Sequence, residues 1–482
     1  MKPFSRSRTE APVASLYVET HGCQMNEADS RYLSERAAAA GYEIVDQPDR
    51  ANVLILNTCT VRDNAEKRAY GRLGHYKRLK DADPTLRLVV CGCLAEQDRH
   101  IMQQRVPYVD GIFGTKELRH LGDTLASWVS EFGDEEVVEA RALLAPLGGR
   151  GDGLVDAFTP LRAYVNVQRG CSYYCSYCIV PQVRGRFDHR LLTEIDDEIR
   201  ARVAGGAREI TLVGQTVNAY ADPASGLNFA GLLAHVAALP GVERVGFLTS
   251  HPKDLSDDLL AALAKTPRLN QRFHLAMQSG SNPILRKMNR KYTIEEYVER
   301  IERFRSFCPD WALTTDIIVG FPGESEADFQ QTLEIVERGY FAQVYAFVYS
   351  PRRGTPAAKM EQLDPAIGAE RLTRLMEVVN RHVQAYHARK VGTVVRALAQ
   401  GPSRKDPQRI SVKTSDNVTI VAPVHGDVSR LASTPWLDLR IDAAHIWGCS
   451  GTVLGMAERV DAERQAVAPM VIDLLAPQVA LA

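Results

Sequence analysis

The 482-residue chain has almost no net charge: 58 Lys and Arg stand against 59 Asp and Glu, which leaves −1. Global charge therefore predicts neither nucleic-acid nor membrane binding, and any polyanion site must come from a local basic patch. Long hydrophobic runs are missing too. Met1 to Val13 is polar and has no apolar core of a secretory signal. The apolar stretch from Met470 to Ala482 is short and is broken by Asp473 and Pro477, below the ~20 residues of a membrane span. The expected setting is the reducing cytoplasm, without membrane contact. The nine cysteines are an odd number spread through a long chain, a poor disulfide framework; in a reducing compartment clustered cysteines more often ligate metal or catalyse. The composition, 45% apolar and 24% charged, is that of a globular protein, and the length calls for two or three domains.

The first part of the chain reads as repeated strand–helix units. Strand patterns at 15–20, 52–57 (NVLILN) and 86–91 (LRLVVC) alternate with helix patterns at 26–40, 63–80 and 96–104. Asn26 is the expected N-cap of the first helix and Gly41 lies just past its end. Continuously apolar strands separated by helices predict an open parallel sheet buried on both faces. The Gly-rich run Gly148, Gly149, Gly151 and Gly153 marks a linker. Six further strand patterns follow, at 163–168, 209–213, 244–248, 273–277, 313–319 and 343–348, again with helices between. They predict a partial (β/α)6 barrel, short of the eight units of a closed one. From about Val391 the pattern becomes short β segments at 394–399, 409–413, 419–423 and 437–441, a small β-barrel. The expected domains are 14–138, a linker at 139–160, 161–385, 386–456, and a tail at 457–482 without an assigned role.

Cys171, Cys175 and Cys178 stand as C-x3-C-x2-C directly after the 163–168 strand. Three thiolates from one tight loop can bind three irons of a [4Fe–4S] cluster and leave the fourth open to substrate. A structural zinc site is the alternative, because His189 could be a fourth ligand; the place of the loop, at the carboxyl end of a barrel strand, favours chemistry. Cys23, Cys59 and Cys93 are 36 and 34 residues apart, and each follows a predicted strand and precedes a helix. In a parallel sheet every strand ends on the same edge, so these three can converge on a second cluster. Cys91, Cys308 and Cys449 fit neither set and read as structural.

The segments HGCQMN at 21–26, NTCTVR at 57–62, GCLAEQ at 92–97 and CSYYCSYCIVPQVRGR at 171–186 resemble the methylthiotransferase family of radical S-adenosylmethionine enzymes. The GCQMN form is closest to the MiaB branch, which acts on isopentenyladenosine in tRNA. LVGQTVNAY at 212–220, TSHP at 249–252, QSGS at 278–281, TDIIVGFPGE at 315–324 and YSPRRGTPAA at 349–358 are similar as well. The segment GPSRKDP at 401–407 resembles a TRAM domain, an RNA-binding β-barrel.

The resemblance implies two [4Fe–4S] clusters and S-adenosylmethionine, with both open irons facing one cavity. The cluster on Cys171, Cys175 and Cys178 would make a 5′-deoxyadenosyl radical, with Tyr177 near the adenine. The cluster on Cys23, Cys59 and Cys93 would hold the added sulfur. Gln215, Asn218 and Ser279, just past barrel strands, are candidates for binding the methionine portion or the ribose, or for loop hydrogen bonds.

The implied substrate is carbon 2 of N(6)-isopentenyladenosine at position 37, in the tRNA anticodon loop. Electrons would come from a donor such as a flavodoxin or ferredoxin, the sulfur donor is unassigned, and the expected state is a monomer. Lys67, Arg68, Arg72, His75, Lys77, Arg78 and Lys80 form a basic helix, and Arg404, Lys405, Arg409 and Lys413 make the TRAM-like segment basic; phosphate contacts need such groups. The chain departs from the family pattern at Arg186 and His189, where an acid and a serine are usual, and at Val412 and Lys413. The alternatives are a methylthiotransferase for threonylcarbamoyladenosine or a ribosomal-protein side chain, and a zinc-bearing RNA-binding protein without catalysis.

Overall fold

The computed structural model describes residues 14–60, 63–129, 161–424, 428–432 and 434–457; the linker at 139–160 and the tail beyond residue 457 lie outside them. The chain folds into two compact units. The described part of the first comprises 14–60, 63–129 and the short segment Val180–Gly185; that of the second comprises 161–179, 186–424, 428–432 and 434–457.

The first unit is an open, all-parallel sheet in the order β2-β1-β3-β4-β5. Its strands are β1 (Ser15–Thr20), β2 (Glu43–Ile44), β3 (Val53–Thr58), β4 (Arg87–Gly92) and β5 (Gly111–Phe113). The helices are α1 (Gln24–Ala39), α2 (Asp63–Ala82), α3 (Cys93–Arg105) and α4 (Leu118–Trp128), joined by the returning helix α5 (Val180–Arg184). The continuous apolar runs have a simple cause. Leu54, Leu56, Leu88 and Val90 pack under α2 and α3, while Val53, Ile55, Val89 and Cys91 pack under α1 and α4. Successive side chains alternate faces, and both faces are covered. Helix α1 starts two residues before its expected beginning: Cys23 is the N-cap, and Asn26 lies inside the first turn with its side chain folded back on the Cys23 amide.

The second unit opens with six parallel strands: β6 (Arg162–Asn166), β9 (Glu209–Val213), β10 (Arg244–Phe247), β11 (Arg272–His274), β12 (Ala312–Val319) and β13 (Gln343–Val348). A two-residue antiparallel pair, β7 (Gln168–Arg169) and β8 (Asp188–His189), flanks the first. Parallel bridges Val245–Leu269 and Ser250–Leu275 connect β10 to β11, so the six form one curved half-barrel. Helices α6 (Leu192–Ala204), α7 (Phe229–Ala238), α8 (Asp257–Lys265), α9 (Asn282–Lys287), α10 (Ile294–Phe307), α11 (Glu326–Glu337) and α12 (Pro365–Ala388) cover its outside around one large apolar core, which contains Cys308.

After α12 come β14 (Val394–Ser403), β15 (Asp406–Thr414), β16 (Thr419–Pro423), β17 (Trp436–His445) and β18 (Gly448–Ala457), a closed barrel in the order β14-β15-β16-β18-β17 with Cys449 in its core. Strand β18, absent from the sequence pattern, closes it. The barrel is anchored at the amino-terminal ends of the half-barrel strands. Arg244 donates to the Lys413 carbonyl at 3.2 Å, Arg162 bonds Gln400, and Trp436 bonds Glu243.

Candidate active site

Within the first unit, β1, β3 and β4 are neighbours, and Cys23, Cys59 and Cys93 all follow their carboxyl ends. The motif residues around them tie the three loops together. The Asn26 side chain accepts from the Cys23 amide at 3.2 Å and donates to Asn57 Oδ1 at 3.0 Å and to the Thr58 carbonyl at 3.1 Å. Asn57 returns bonds to the Asn26 carbonyl and the Ser30 hydroxyl, each at 2.9 Å. The Thr58 hydroxyl donates to the Cys91 carbonyl at 2.6 Å. Gly92, at φ +98°, lets the chain turn into α3; a Cβ there would stand 2.4 Å from the Thr58 carbonyl oxygen.

The three thiols act on one another electrostatically. Burial pushes the Cys93 thiol up to about 12, Arg184 opposes that shift, and Cys59 and Cys23 add to it. Arg184, which sequence reasoning left out of the site, reaches Cys93 from α5 and donates to Asp29 at 2.9 Å, with both side chains buried. Cys91 turns away into the core beneath α1 and α4.

In the second unit, Cys171, Cys175 and Cys178 occupy the loop that leaves β6 and β7 at the carboxyl edge of the half-barrel. Gln168 Oε1 accepts from the amides of Gln215 and Thr216, at 3.2 and 3.1 Å, and so joins the end of β9 to this loop. Thr216 Oγ1 is 3.6 Å from Cys171 Sγ. From the other side, Ser176 bonds the Met288 and Lys287 carbonyls, and Arg290 Nη1 lies 3.5 Å from Cys175 Sγ. Tyr173, inside the loop, stacks on His251 with centroids 4.2 Å apart. Burial, with Arg290 and Lys253 nearby, drives the His251 imidazole down to about 2, so it stays neutral.

The expected ligand-binding residues separate into two groups. Gln215 Oε1 is buried without a hydrogen-bond partner, as are Asn166 Nδ2 and Ser250 Oγ. These orphans sit at the ends of three adjacent strands, β6, β9 and β10, beside the cysteine loop. Buried polar atoms are costly unless paired, so three together fit a polar ligand such as S-adenosylmethionine. Asn218 and Ser279, by contrast, are committed to the loops. Asn218 exchanges two 2.9 Å bonds with the His251 backbone, and Ser279 Oγ accepts from the Ser281 amide. Tyr177 lies half-buried against the apolar cluster of Ile284, Met288 and Phe321. The Nδ1 of His189, the fourth ligand of the zinc alternative, accepts from the Ala221 amide at 3.1 Å. Arg186 donates to the Tyr174 hydroxyl at 3.0 Å. Among the described residues no three His, Cys, Asp or Glu crowd closely enough for one metal ion, whereas three thiolates that each take a separate iron of a cluster stand further apart.

Comparison with known proteins agrees. The Radical SAM superfamily model matches residues 165–336, and the model of Uncharacterized protein family UPF0004 matches residues 15–114. The chain is 40% identical to the tRNA-2-methylthio-N(6)-dimethylallyladenosine synthase of Syntrophotalea carbinolica over 84% of this chain and 92% of that protein. It is also 40% identical to the synthase of that name from Moorella thermoacetica over 90% of this chain and 97% of the relative, and to that of Acetivibrio thermocellus over 93% of each. The chain belongs to the tRNA-2-methylthio-N(6)-dimethylallyladenosine synthase family.

For this family member a like fold also occurs in a protein of unlike sequence. The radical S-adenosylmethionine methyltransferase TsrM from Kitasatospora setae superposes with a TM-score of 0.51 over 72% of this chain and 75% of its own, at 15% identity, which is a likeness of fold. The motifs that tie the thiols of the synthase-family chain, Asn26, Asn57 and Gly92 in one unit and Gln168 and Thr216 in the other, fall inside the two matched regions.

Proposed function

We propose that this chain adds a methylthio group to carbon 2 of N(6)-isopentenyladenosine at position 37 of tRNA. The carrying observation is 40% identity to synthases of that name along 84–93% of the chain, across both cysteine sets. Cys171, Cys175 and Cys178 would hold one [4Fe–4S] cluster and Cys23, Cys59 and Cys93 the other, each leaving one iron open. The carbon-2 C–H bond is not acidic, so acid–base groups offer no route to it; the clusters and S-adenosylmethionine, when bound, supply the radical chemistry and the sulfur.

The protein's own residues hold, orient and exclude. Asn166, Gln215 and Ser250 present polar atoms to S-adenosylmethionine, and Tyr177 closes the apolar side of the loop. Asn26, Asn57 and Gly92 fix the three loops of the other set. Exposed Arg404 and Lys405 at the β14–β15 turn are suited to phosphate contacts. Lys413 is not: it bonds Asn417, and burial beside Arg162 and Arg272 lowers its pKa to about 8. On the basic helix, Arg72, Lys77 and Lys80 are paired with Glu19, Asp81 and Asp110. No helix among the described residues is long and apolar enough to cross a membrane. Our reading places the enzyme in the cytoplasm as a monomer, reduced by a flavodoxin or ferredoxin.

The test is nucleoside analysis of tRNA from cells lacking the gene, complemented with wild type or with either cysteine set changed to alanine. Only wild type should restore the 2-methylthio nucleoside. Anaerobically reconstituted wild type should hold about eight irons and each triple variant about four. Restored methylthiolation by either triple variant would sink the reading.

A further inference from the structure

We propose that Arg290 is a positioning residue that fixes Cys175 and supplies the counter-charge for the cluster on Cys171, Cys175 and Cys178. The inference rests on the reading that these three thiolates hold a cluster. The turn at 287–290 is strapped to the cysteine loop at four points. The Ser176 amide donates to the Met288 carbonyl at 3.0 Å and the Ser176 hydroxyl to the Lys287 carbonyl at 2.7 Å. Asn289, at φ +58°, donates through Nδ2 to the Tyr174 carbonyl at 2.9 Å, and Arg290 Nη1 completes the set at 3.5 Å from Cys175 Sγ.

Arg290 is 8% exposed. Its remaining bonds go to neutral oxygens, the Tyr292 hydroxyl at 3.0 Å and the Ala276 carbonyl at 2.9 Å, and among the described residues no carboxylate pairs with it. A buried cation without an anion is strongly disfavoured. Among the contacts of Arg290 in the described residues, the Cys175 sulfur is the one that becomes an anion when it ligates iron. The other cysteine set is arranged differently: its buried arginine, Arg184, is already matched by Asp29 at 2.9 Å. A net positive charge is therefore kept beside one set only, the set that must accept an electron before S-adenosylmethionine can be cleaved. Adding that electron makes the cluster more negative, and an unneutralised guanidinium in a site of low dielectric favours the product.

The experiment compares wild type, Arg290→Lys and Arg290→Gln as full-length, anaerobically reconstituted proteins. The readouts are iron content and the midpoint potential of the cluster whose EPR signal responds to S-adenosylmethionine. Loss of the charge in Arg290→Gln should lower the reduction equilibrium constant about tenfold, 59 mV for one electron. Arg290→Lys should stay much closer to wild type, and the S-adenosylmethionine-insensitive signal should not move. If Arg290→Gln loses its iron, full loading of Arg290→Lys supports the proposal, and equal loss in both overturns it. An Arg290→Gln protein that loads fully and titrates at the wild-type potential also overturns it. A wild type that binds no iron at this set would instead sink the cluster reading.

Discussion

Arg184 shows how one side chain can serve a site that its own motif does not suggest. It lies six residues beyond Cys178, yet it is buried against Asp29 and Cys93 of the first unit. Removing one partner of a buried ion pair leaves the other charged and unsolvated, at a cost of roughly 3–5 kcal/mol. Arg184→Met should therefore destabilise the apoprotein by about that amount in chemical denaturation. Adding Asp29→Asn should recover much of the loss, because no lone charge then remains; equal stability of the single and double variants would contradict the pairing. At this scale the sequence was legible where chemistry is written in one residue type. Six cysteines in strand-end slots stand out in the sequence as two candidate sets, and their role as cluster ligands belongs to the proposal above. Arg184 and Arg290 do not stand out, since nothing local separates a buried arginine from the many exposed ones.

At the scale of elements, the turn from β4 into α3 matters most. Gly92 takes φ +98°, where a β-carbon would meet the Thr58 carbonyl oxygen at 2.4 Å. Alanine there meets both the left-handed backbone penalty and a backbone clash, more than about 1 kcal/mol together. Because β3 and α3 would have to move apart, Cys59 and Cys93 would lose their spacing. Gly92→Ala should reduce iron bound at the first set while the cluster on Cys171, Cys175 and Cys178 loads normally; full iron at both sets would count against it. The element boundaries most in need of tertiary information were those set by such ties. Helix α1 begins at Gln24 because the Asn26 side chain, read from the sequence as the cap, is drawn to the Cys23 amide and to Asn57 on a neighbouring strand. The short edge strands β2 and β5 were missed because two or three residues carry no periodicity.

For the molecule as a whole, the C-terminal barrel is held to the half-barrel through a buried charge cluster. Arg244 pairs with Glu209 at 2.6 Å and also donates to the Lys413 carbonyl of the barrel. Burial alone would raise the Glu209 carboxyl, but Arg244 and Arg162, with bonds from Arg244 and Asn270, hold it down to about 2 from 4.5. A carboxyl whose folded pKa is depressed gives stability that is present above about pH 4.5 and is lost as the pH falls toward 2, about 3 kcal/mol in all. Unfolding midpoints of wild type should fall as the pH drops from about 4.5 toward 2. Glu209→Gln should be less stable at neutral pH and lose less on acidification. Parallel acid profiles would show that Glu209 keeps an ordinary pKa.

Periodicity and spacing alone determined the open parallel sheet, the six-strand half-barrel and the small barrel, because each depends on patterns of two or of 3.6 that survive in one dimension; the strand-then-cysteine spacing suggested the two cysteine sets in the same way. Tertiary structure decided the rest. It returned α5 to the first unit, closed the C-terminal barrel with β18, turned Lys413 inward, left Gln215 unpaired while binding Asn218 and Ser279 into their loops, and put one arginine beside each cysteine set. These outcomes depend on which distant groups compete for a buried hydrogen bond or charge, and that competition is settled only when the chain has packed.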